Sequence, residues 1–494
     1  MERVGVRWIV IAIAAGIVAG RVALLGGYGI TVMIGVLLFA GFAAVAFLRP
    51  LVAVQVMVFM IVTGIATQAV GTFVGTAISI GDVLLAVLFG VWLISGRGLR
   101  AIRTRRFGPW VFAVVGMWLV FSMLGIARGH PWPFLQLDTI PGLYLLAFFP
   151  IVDVLRDEGA VRSVVRAGGL GLVVMSLGLV YEFVVHYDAP EGNFLTTWGK
   201  VYPTEGPAGG PKVIPFAGQW ISAGLLGGLL WMQRREPGRT AMGPFLFAGL
   251  MGIALLLVYT RSLMALTVFS VALLGLALAR QPRRAFSMAG ATAAVVAILA
   301  VSIPLLGGSV GGVVEGLRGR FTNLGQDPSW EFRRTESRAG IEVFADHPFV
   351  GEGFGVIVSI PELEAEGRPP SNAFQNAYVG LLAKTGIVGT SVFVAFLLSL
   401  IVRGVRRGLS GPGRMRLVLV AGGVWLVGMA LASYSSDYLQ IVSGMFYLAL
   451  FAALVAAFEG FDEEAAAAAE AEAQARPHAE DSTPERVLSR SRSG

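Results

Sequence analysis

Long runs of apolar residues separated by short polar segments make up most of this chain. A helix needs about 20 apolar residues to cross the roughly 30 Å hydrocarbon core of a bilayer. The pattern therefore predicts an all-α, polytopic integral membrane protein with about fourteen transmembrane helices and one large extracytoplasmic loop. The predicted spans lie near 8–26, 29–48, 51–70, 78–96, 109–127, 139–155, 164–185, 215–233, 243–260, 262–280, 286–306, 373–402, 416–434 and 438–457.

Composition agrees with a bilayer as the solvent of this chain. Of its 494 residues, 55% are hydrophobic and 14% are charged, whereas soluble domains carry about 25% charged residues. A protein of this length could form several soluble domains, but too few charged residues are present to cover them. Cysteine is absent and the four histidines are far apart in the sequence, so we predict neither a metal site nor a cofactor.

Short arginine clusters between the apolar runs predict the orientation in the membrane. Arginine in short loops marks the cytoplasmic side. If the N-terminus is cytoplasmic and the spans number fourteen, all four clusters are cytoplasmic. Because the clusters flank spans rather than forming an extended basic surface, we do not expect nucleic-acid binding. The clusters lie at 97–106, 234–239, 280–284 and 403–416.

Charge also divides the chain into a membrane domain, 1–457, and a tail, 458–494. The membrane domain includes the extracytoplasmic loop 307–372, which has ten acidic and six basic residues. The tail has nine acidic and four basic residues and is rich in Ala and Glu. We expect the tail to be cytoplasmic, with a short exposed helix followed by disorder.

Arginines beside the outer membrane face are the first candidates for chemistry. Arg261 stands between two apolar runs with almost no loop, where it either serves a function or extends its side chain to the interface. Arg334 and Arg338 share one face of a predicted helix in the loop, with Arg333 close by. An anion such as phosphate would relieve their repulsion, although Glu331, Glu336 and Glu342 could also neutralise them.

A glycine-rich segment and an aromatic segment are further candidates. Gly351, Gly353 and Gly355 allow tight turns whose N–H groups could face an anion, although a plain turn is the commoner use. Trp198 lies four residues from both Phe194 and Tyr202, so these rings could stack on sugars or anchor the loop at the interface.

Two segments together resemble the signature of the O-antigen ligase and O-antigen polymerase superfamily. They are His347-Pro-Phe-Val-Gly-Glu-Gly-Phe-Gly and Gln375-Asn-Ala-Tyr-Val-Gly-Leu-Leu-Ala-Lys-Thr-Gly-Ile-Val-Gly. Thr260-Arg261-Ser262 is similar to the (S/T)R element of the family at an outer helix junction. Arg333, fourteen residues before His347, stands where the family tends to have a loop arginine. The motifs cover 260–389, and the many-span layout is similar over most of the chain.

The resemblance implies a glycosyltransferase that needs no metal and acts at the outer face of the bacterial cytoplasmic membrane. Its donor would be an undecaprenyl-pyrophosphate-linked glycan, and its acceptor a hydroxyl on lipid A core or on a growing polysaccharide. Four residues would then be catalytic: Arg261, Arg333, His347 and Gln375. Those that would bind substrate are Arg334, Arg338, Gly351, Gly353, Gly355, Asn376 and Trp198.

Gln375 departs from the family pattern, which has histidine there. An amide cannot act as a general base at neutral pH, so His347, Glu336 or Glu352 could take that role, or the good leaving group could make a strong base unnecessary. The sequence does not distinguish a ligase from a polymerase. The alternative function is a multi-span transporter or flippase of envelope lipid-linked glycans, for which Asp153, Arg166 and Glu182 near span ends are candidates.

The predicted orientation can be tested by labelling, because the chain has no cysteine. We expect Gly325→Cys, in the loop 307–372, to react with a membrane-impermeant maleimide in intact spheroplasts. A cysteine placed in the 234–239 cluster, for example Gly238→Cys, serves as the control and should react only after lysis. The opposite pattern would overturn the orientation.

Overall fold

The computed structural model describes residues 28–67, 69–73, 76–95, 107–186, 194–195, 199–202, 212–215, 217–232, 242–258, 260–278, 292–293, 328–358, 360, 372, 374–410 and 415–480. All structural statements below concern these residues. The predicted spans 8–26 and 286–306, the loop segment 307–327 and the end of the tail lie outside them, apart from 292–293.

Helices account for most of the described residues. In chain order they are α1 (Tyr28–Leu48), α2 (Pro50–Thr63), α3 (Ile80–Ile94), α4 (Gly108–Ala127), α5 (Trp132–Leu143), α6 (Phe148–Val154), α7 (Glu158–Val185), α8 (Gln219–Met232), α9 (Met242–Val258), α10 (Arg261–Leu278), α11 (Pro328–Asp346), α12 (Ala377–Ser410), α13 (Leu417–Ala432) and α14 (Val442–Glu480). Short 3₁₀ helices follow α2 (Ile65–Thr67) and join α5 to α6 (Tyr144–Ala147).

Five of the described helical stretches are long and apolar enough to cross a membrane: α4, the α5–α6 stretch from Trp132 to Val154, α7, α12 and the first part of α14. Further apolar helices of 10–17 residues come from α1, α2, α3, α9, α10 and α13. Helices therefore lie at twelve of the fourteen predicted spans, and the protein is a mostly helical membrane protein. The count of fourteen stays a prediction.

The all-α prediction needs one correction, because short strands form between helices. Strands β1 (Ala69–Phe73) and β2 (Thr76–Ser79) form an antiparallel hairpin between α2 and α3. Strands β3 (Phe194–Leu195), β4 (Gly199–Tyr202) and β5 (Lys212–Pro215) form an antiparallel sheet in the order β3-β4-β5 between α7 and α8. These polar segments connect spans, and pairing satisfies their backbone groups where helices end.

The first half of α14 lies at the centre of the helix bundle. Its residues from Met445 to Phe458 are buried apolar side chains, and Tyr447 packs edge-on against Trp220 with ring centroids 5.1 Å apart. The helix continues without a break through 457, the predicted domain boundary, and its residues from Glu463 to Glu472 are exposed. The last span and the start of the tail are therefore one helix.

Three arginines of the 403–416 cluster, Arg403, Arg407 and Arg416, lie at the end of the bundle where α4 begins. The Arg403 guanidinium lies over the ring of Phe107, 4.8 Å from its centroid, and Phe107 directly follows the 97–106 cluster. Asp462 on α14 forms ion pairs with Arg407 and Arg416 at the same end. Because α4 runs from Gly108 to Ala127, its last turn lies at the opposite end of the bundle.

Helix α12 is interrupted at Gly386, which has φ 61° and ψ −165°. The interruption removes helical acceptors from the following N–H groups. Ile387 N instead donates to Pro348 O (2.9 Å), and Val388 N donates to Phe349 O (3.2 Å). The glycine-rich segment 347–355, hereafter the glycine turn, thus packs directly on the break in α12.

We expect Gly386→Ala to destabilise the protein. At this φ and ψ, a backbone region adopted almost only by glycine, a residue with a Cβ costs about 1–3 kcal/mol, and this Cβ would lie only 2.3 Å from Phe349 O. Thermal unfolding of the purified protein in detergent should therefore show a clearly lower Tm. The control is Gly116→Ala in α4, where an added Cβ meets nothing within 4 Å and the helix should become slightly more stable. Equal Tm values for the two variants would contradict this account of the break.

Candidate active site

Helix α11 packs against the start of α12 and thereby positions its polar face. Ala339 and Val343 on α11 contact a small apolar cluster that includes Phe374 and Val379. Gly340 permits this close approach, because a Cβ there would lie 2.6 Å from Val379 Cγ1. The helix in 307–372 that the sequence predicts is therefore present, and its packing turns Arg333 and Glu336 toward the residues just before α12.

Arg333, Gln375 and Glu336 form one hydrogen-bonded group, hereafter the α11–α12 cluster. Arg333 Nε donates to Gln375 Oε1 at 2.6 Å, and Gln375 N donates to Glu336 Oε2 at 2.8 Å. Arg334 and Arg338 lie on the exposed side of α11, away from this group. The structure thus brings together two of the four predicted catalytic residues and places two of the predicted substrate-binding arginines outside the cluster.

Glu336 is unusually placed for a carboxyl group, with only 4% of the residue exposed. Burial raises its pKa to about 7, and the negative charge of Asp437 acts in the same direction. The Gln375 N–H and the positive charges of Arg333 and Lys384 lower the pKa but do not cancel the effect of burial. A carboxyl group with a pKa near 7 can hold or release a proton under physiological conditions.

The segment between α13 and α14 lies near the α11–α12 cluster and contributes Asp437 and Tyr438. Burial raises the pKa of Asp437. The next residue, Tyr438, lies within electrostatic range of both Asp437 and Arg333. The Tyr438 hydroxyl lies 2.8 Å from Ser262 Oγ in the first turn of α10. Arg261 begins α10 and directly precedes Ser262, so its backbone lies near Tyr438. Its side chain, like Trp198, lies outside the described residues.

The glycine turn does not offer its N–H groups to an anion, contrary to our expectation. Gly351 N donates to His347 O, Glu352 N to Ala383 O, Gly353 N to Lys384 O, Phe354 N to Phe121 O and Gly355 N to Asp138 Oδ2. The three glycines have positive φ, and a Cβ on Gly353 would lie 2.6 Å from Gly125 N. Their function is close backbone packing between α4 and α12.

Asp138 gathers three segments around one buried carboxylate. Its Oδ1 accepts from Lys384 Nζ at 2.7 Å and from Asn372 Nδ2 at 3.3 Å, while Oδ2 accepts from Gly355 N at 2.8 Å. The Asp138 and Lys384 side chains are only 10% and 5% exposed. The sequence analysis missed this pair, although a lysine inside a predicted span was an available signal.

His347 and Asn376 have local partners outside the α11–α12 cluster. Glu352 forms ion pairs with His347 Nε2 at 2.8 Å and with Arg128 Nη1 at 2.7 Å, so His347 stands on the outer side of the glycine turn. Asn376 Oδ1 accepts from Tyr378 N and Val379 N, which caps the start of α12. The resemblance implied roles in catalysis and substrate binding for these residues, and the contacts indicate that they support the turn and the helix.

Two of the polar residues that would suit a transporter are paired within their own helical regions. Asp153 lies 3.6 Å from Arg156, and Glu182 lies 3.1 Å from His186. A mostly apolar cavity of about 1200 Å³ lies between α7, α8, α9, α13 and α14, with Arg162 and Arg166 near the start of α7. No residue of the α11–α12 cluster lines this cavity. Within the described residues, no group of three His, Asp or Glu side chains is arranged to hold a metal ion.

Removing Lys384 should strongly destabilise the protein, because Asp138 would remain as a buried charge without its cation. Breaking a buried ion pair in this way costs about 3–5 kcal/mol, so we expect Lys384→Met to lower the Tm and the yield of folded protein. The double variant Asp138→Asn with Lys384→Met should recover part of the loss. As a control, Arg156→Met breaks a pair whose arginine is 68% exposed and should have little effect. A Lys384→Met protein as stable as the wild type would contradict this role.

Comparison with known proteins agrees with the chemistry of this region. No curated protein matches the chain. Residues 246–394 match the O-Antigen ligase family, and this range contains α10, α11, the glycine turn and the start of α12. The match indicates a glycosyltransferase-like enzyme that processes glycans in a membrane. The resemblance to the O-antigen ligase and polymerase superfamily predicted from the sequence is therefore confirmed over residues 246–394.

Proposed function

We propose that this protein transfers or polymerises an undecaprenyl-pyrophosphate-linked glycan onto a hydroxyl acceptor at the outer face of the bacterial cytoplasmic membrane. One observation carries the proposal: Arg333 donates a hydrogen bond to Gln375 just before α12, within the region that matches the O-Antigen ligase family. The acceptor is a glycan or glycolipid hydroxyl, and the family match supports this class of reaction without naming the sugar.

The state of Arg333 suits recognition of a pyrophosphate. Its Nε is occupied by Gln375, whereas its two Nη atoms have no hydrogen-bond partner among the described residues. A guanidinium group can bind two phosphate oxygens at once, and departure of the pyrophosphate builds negative charge that such a group stabilises. Arg261 is the second proposed ligand, with Arg334 and Arg338 in secondary roles because they face outward from α11.

The position along the bundle supports a reaction at the outer face. The glycine turn contacts Gly125 and Phe121 near the end of α4, whereas Arg403 of the 403–416 cluster contacts Phe107, just before the start of α4. Arginine clusters in short loops mark the cytoplasmic side. The α11–α12 cluster then lies on the extracytoplasmic side, where a lipid-linked donor would present its glycan.

The experiment that tests the proposed function is deletion of the gene in its host, followed by analysis of lipid-linked glycans. Accumulation of single repeat units indicates a polymerase, and accumulation of full-length lipid-linked polymer indicates a ligase. Complementation with the wild-type gene should reverse either change. Accumulation confined to the cytoplasmic leaflet would contradict the proposal and indicate a flippase.

We expect Arg333→Ala to cut glycan transfer about 10- to 100-fold, because a hydrogen bond to a charged group contributes about 1.5–3 kcal/mol. Arg333→Lys should also be impaired, since lysine lacks the planar fork of donors, and Arg261→Ala should behave like Arg333→Ala. Transfer is measured by complementation of the deletion strain and by polymer analysis. The control is Arg406→Lys, an exposed position in the 403–416 cluster, which should retain full activity. A well-folded Arg333→Ala protein with full activity would remove Arg333 from the site.

A further inference from the structure

Transfer to a hydroxyl group requires a destination for its proton, and the side chain of Gln375 cannot provide one. An amide neither gains nor loses a proton near neutral pH. The group that takes the proton must therefore be another side chain close to Gln375 and Arg333. The described residues offer four acidic candidates around the glycine turn and the start of α12: Asp138, Glu336, Glu352 and Asp437.

Two of these carboxylates are already committed to cations. Asp138 is paired with Lys384 at 2.7 Å, and Glu352 is paired with Arg128 at 2.7 Å and with His347 at 2.8 Å. Carboxylate oxygens that already accept hydrogen bonds from these partners are less available to a substrate hydroxyl. Asp437 has no hydrogen bond to Arg333 or Gln375 in the structure, so it is a less direct neighbour of the reacting groups than Glu336.

Glu336 differs from the other three in its contacts. Its Oε2 accepts from Gln375 N at 2.8 Å, and no cation lies within ion-pair distance of it among the described residues. Its Oε1 has no hydrogen-bond donor among the same residues. The carboxylate is therefore held in one orientation by a neutral N–H group, with its second oxygen available to a substrate hydroxyl. Arg333 and Gln375 are partly exposed and form the edge by which a substrate would approach.

We propose that Glu336 is the general base of this enzyme and takes the proton of the acceptor hydroxyl. This role rests on the proposed function. The acceptor oxygen forms a bond to the anomeric carbon of the donor sugar, and the bond from that carbon to the pyrophosphate oxygen breaks. The bonding electron pair leaves with the undecaprenyl pyrophosphate, which Arg333 stabilises. The proton passes to Glu336 Oε1 and is later released to water.

The surroundings of Glu336 set the pH range in which it can act. Arg333 on its own helix and Lys384 on α12 favour the carboxylate, whereas Asp437 and burial favour the acid, and the pKa is about 7. A base must be ionised, so the activity should rise as the pH increases through about 7 and then level off. The uncharged Tyr438 hydroxyl, which faces Asp437, does not change the sign of this dependence.

The test is a pH–rate profile of purified protein in liposomes. The donor is undecaprenyl-pyrophosphate-linked glycan extracted from the deletion strain, and the acceptor is the membrane fraction of that strain. We expect Glu336→Gln to lower kcat about 100- to 10,000-fold and to abolish the rise of rate through pH 7. The matched control is Glu342→Gln, an exposed carboxylate on the same helix, which should keep the wild-type rate and profile.

Two further variants separate the base from a structural role. Glu336→Asp keeps a carboxyl group but withdraws it by one methylene, so it should be slower than wild type and still show a rise of rate with pH. In the Glu336→Gln background, Gln375→His should restore part of the activity, with an inflection near the histidine pKa of about 6.5. A merely structural role for Glu336 predicts no such rescue, so a folded double variant without it would count against the base.

The outcomes distinguish this role from the proposed function. If the wild-type protein transfers glycan and either Glu336→Gln or Glu336→Asp retains the wild-type rate, Glu336 is not the base and the proposed function still stands. If the wild-type protein transfers no glycan, the proposed function fails and this role fails with it. Loss of transfer in Glu336→Gln together with the unchanged Glu342→Gln control supports the role.

Discussion

The buried Asp138 carboxylate is the interaction on which the rest of the candidate site depends. It joins α5 to Lys384 of α12, to Gly355 of the glycine turn and to Asn372 ahead of α12. Two charges removed from water are costly unless additional hydrogen bonds satisfy them, and two N–H donors besides Lys384 do so here. Together with the backbone hydrogen bonds between the turn and α12, this carboxylate fixes the position of the residues just before α12, on which the α11–α12 cluster is built.

The break in α12 is the second requirement, because it lets a loop backbone pack inside a helical bundle. Irregular backbone at the depth of a membrane is tolerated only where protein or water satisfies its polar groups. Just after Gly386, the N–H groups of Ile387 and Val388 donate to carbonyl oxygens of the glycine turn. N–H groups of the turn donate to the carbonyl oxygens of Ala383 and Lys384. The two irregular segments complete each other, which explains why glycines with positive φ occur in both.

The sequence predicted the helices well and the site only in part. Apolar runs identified the helical segments because a span is a local pattern, and the family signature led to the Arg333–Gln375 contact. The Asp138–Lys384 pair joins residues 246 positions apart, and Arg128 lies 224 positions from Glu352, so no local pattern reveals either pair. The same limitation left both an anion site and a plain turn open for the turn glycines, since the sequence does not show which distant groups accept from their N–H groups. The short strands were not predicted, because β1 to β5 have five residues or fewer and such short segments leave no clear alternation in the sequence.

Because α14 is continuous, the last span and the exposed C-terminal portion move as one helix. A helix of 39 residues extends about 58 Å at 1.5 Å per residue, and this one runs from the segment that bears Asp437 through the bundle and beyond Asp462. Near its start, the Gln440 side chain binds the backbone of Ala377 in α12, and near the other end of the bundle Asp462 is clamped by two arginines. The helix therefore links the two ends of the bundle, so that a displacement of its exposed Ala/Glu portion would have to break the Asp462 ion pairs before it moved the segment near the α11–α12 cluster.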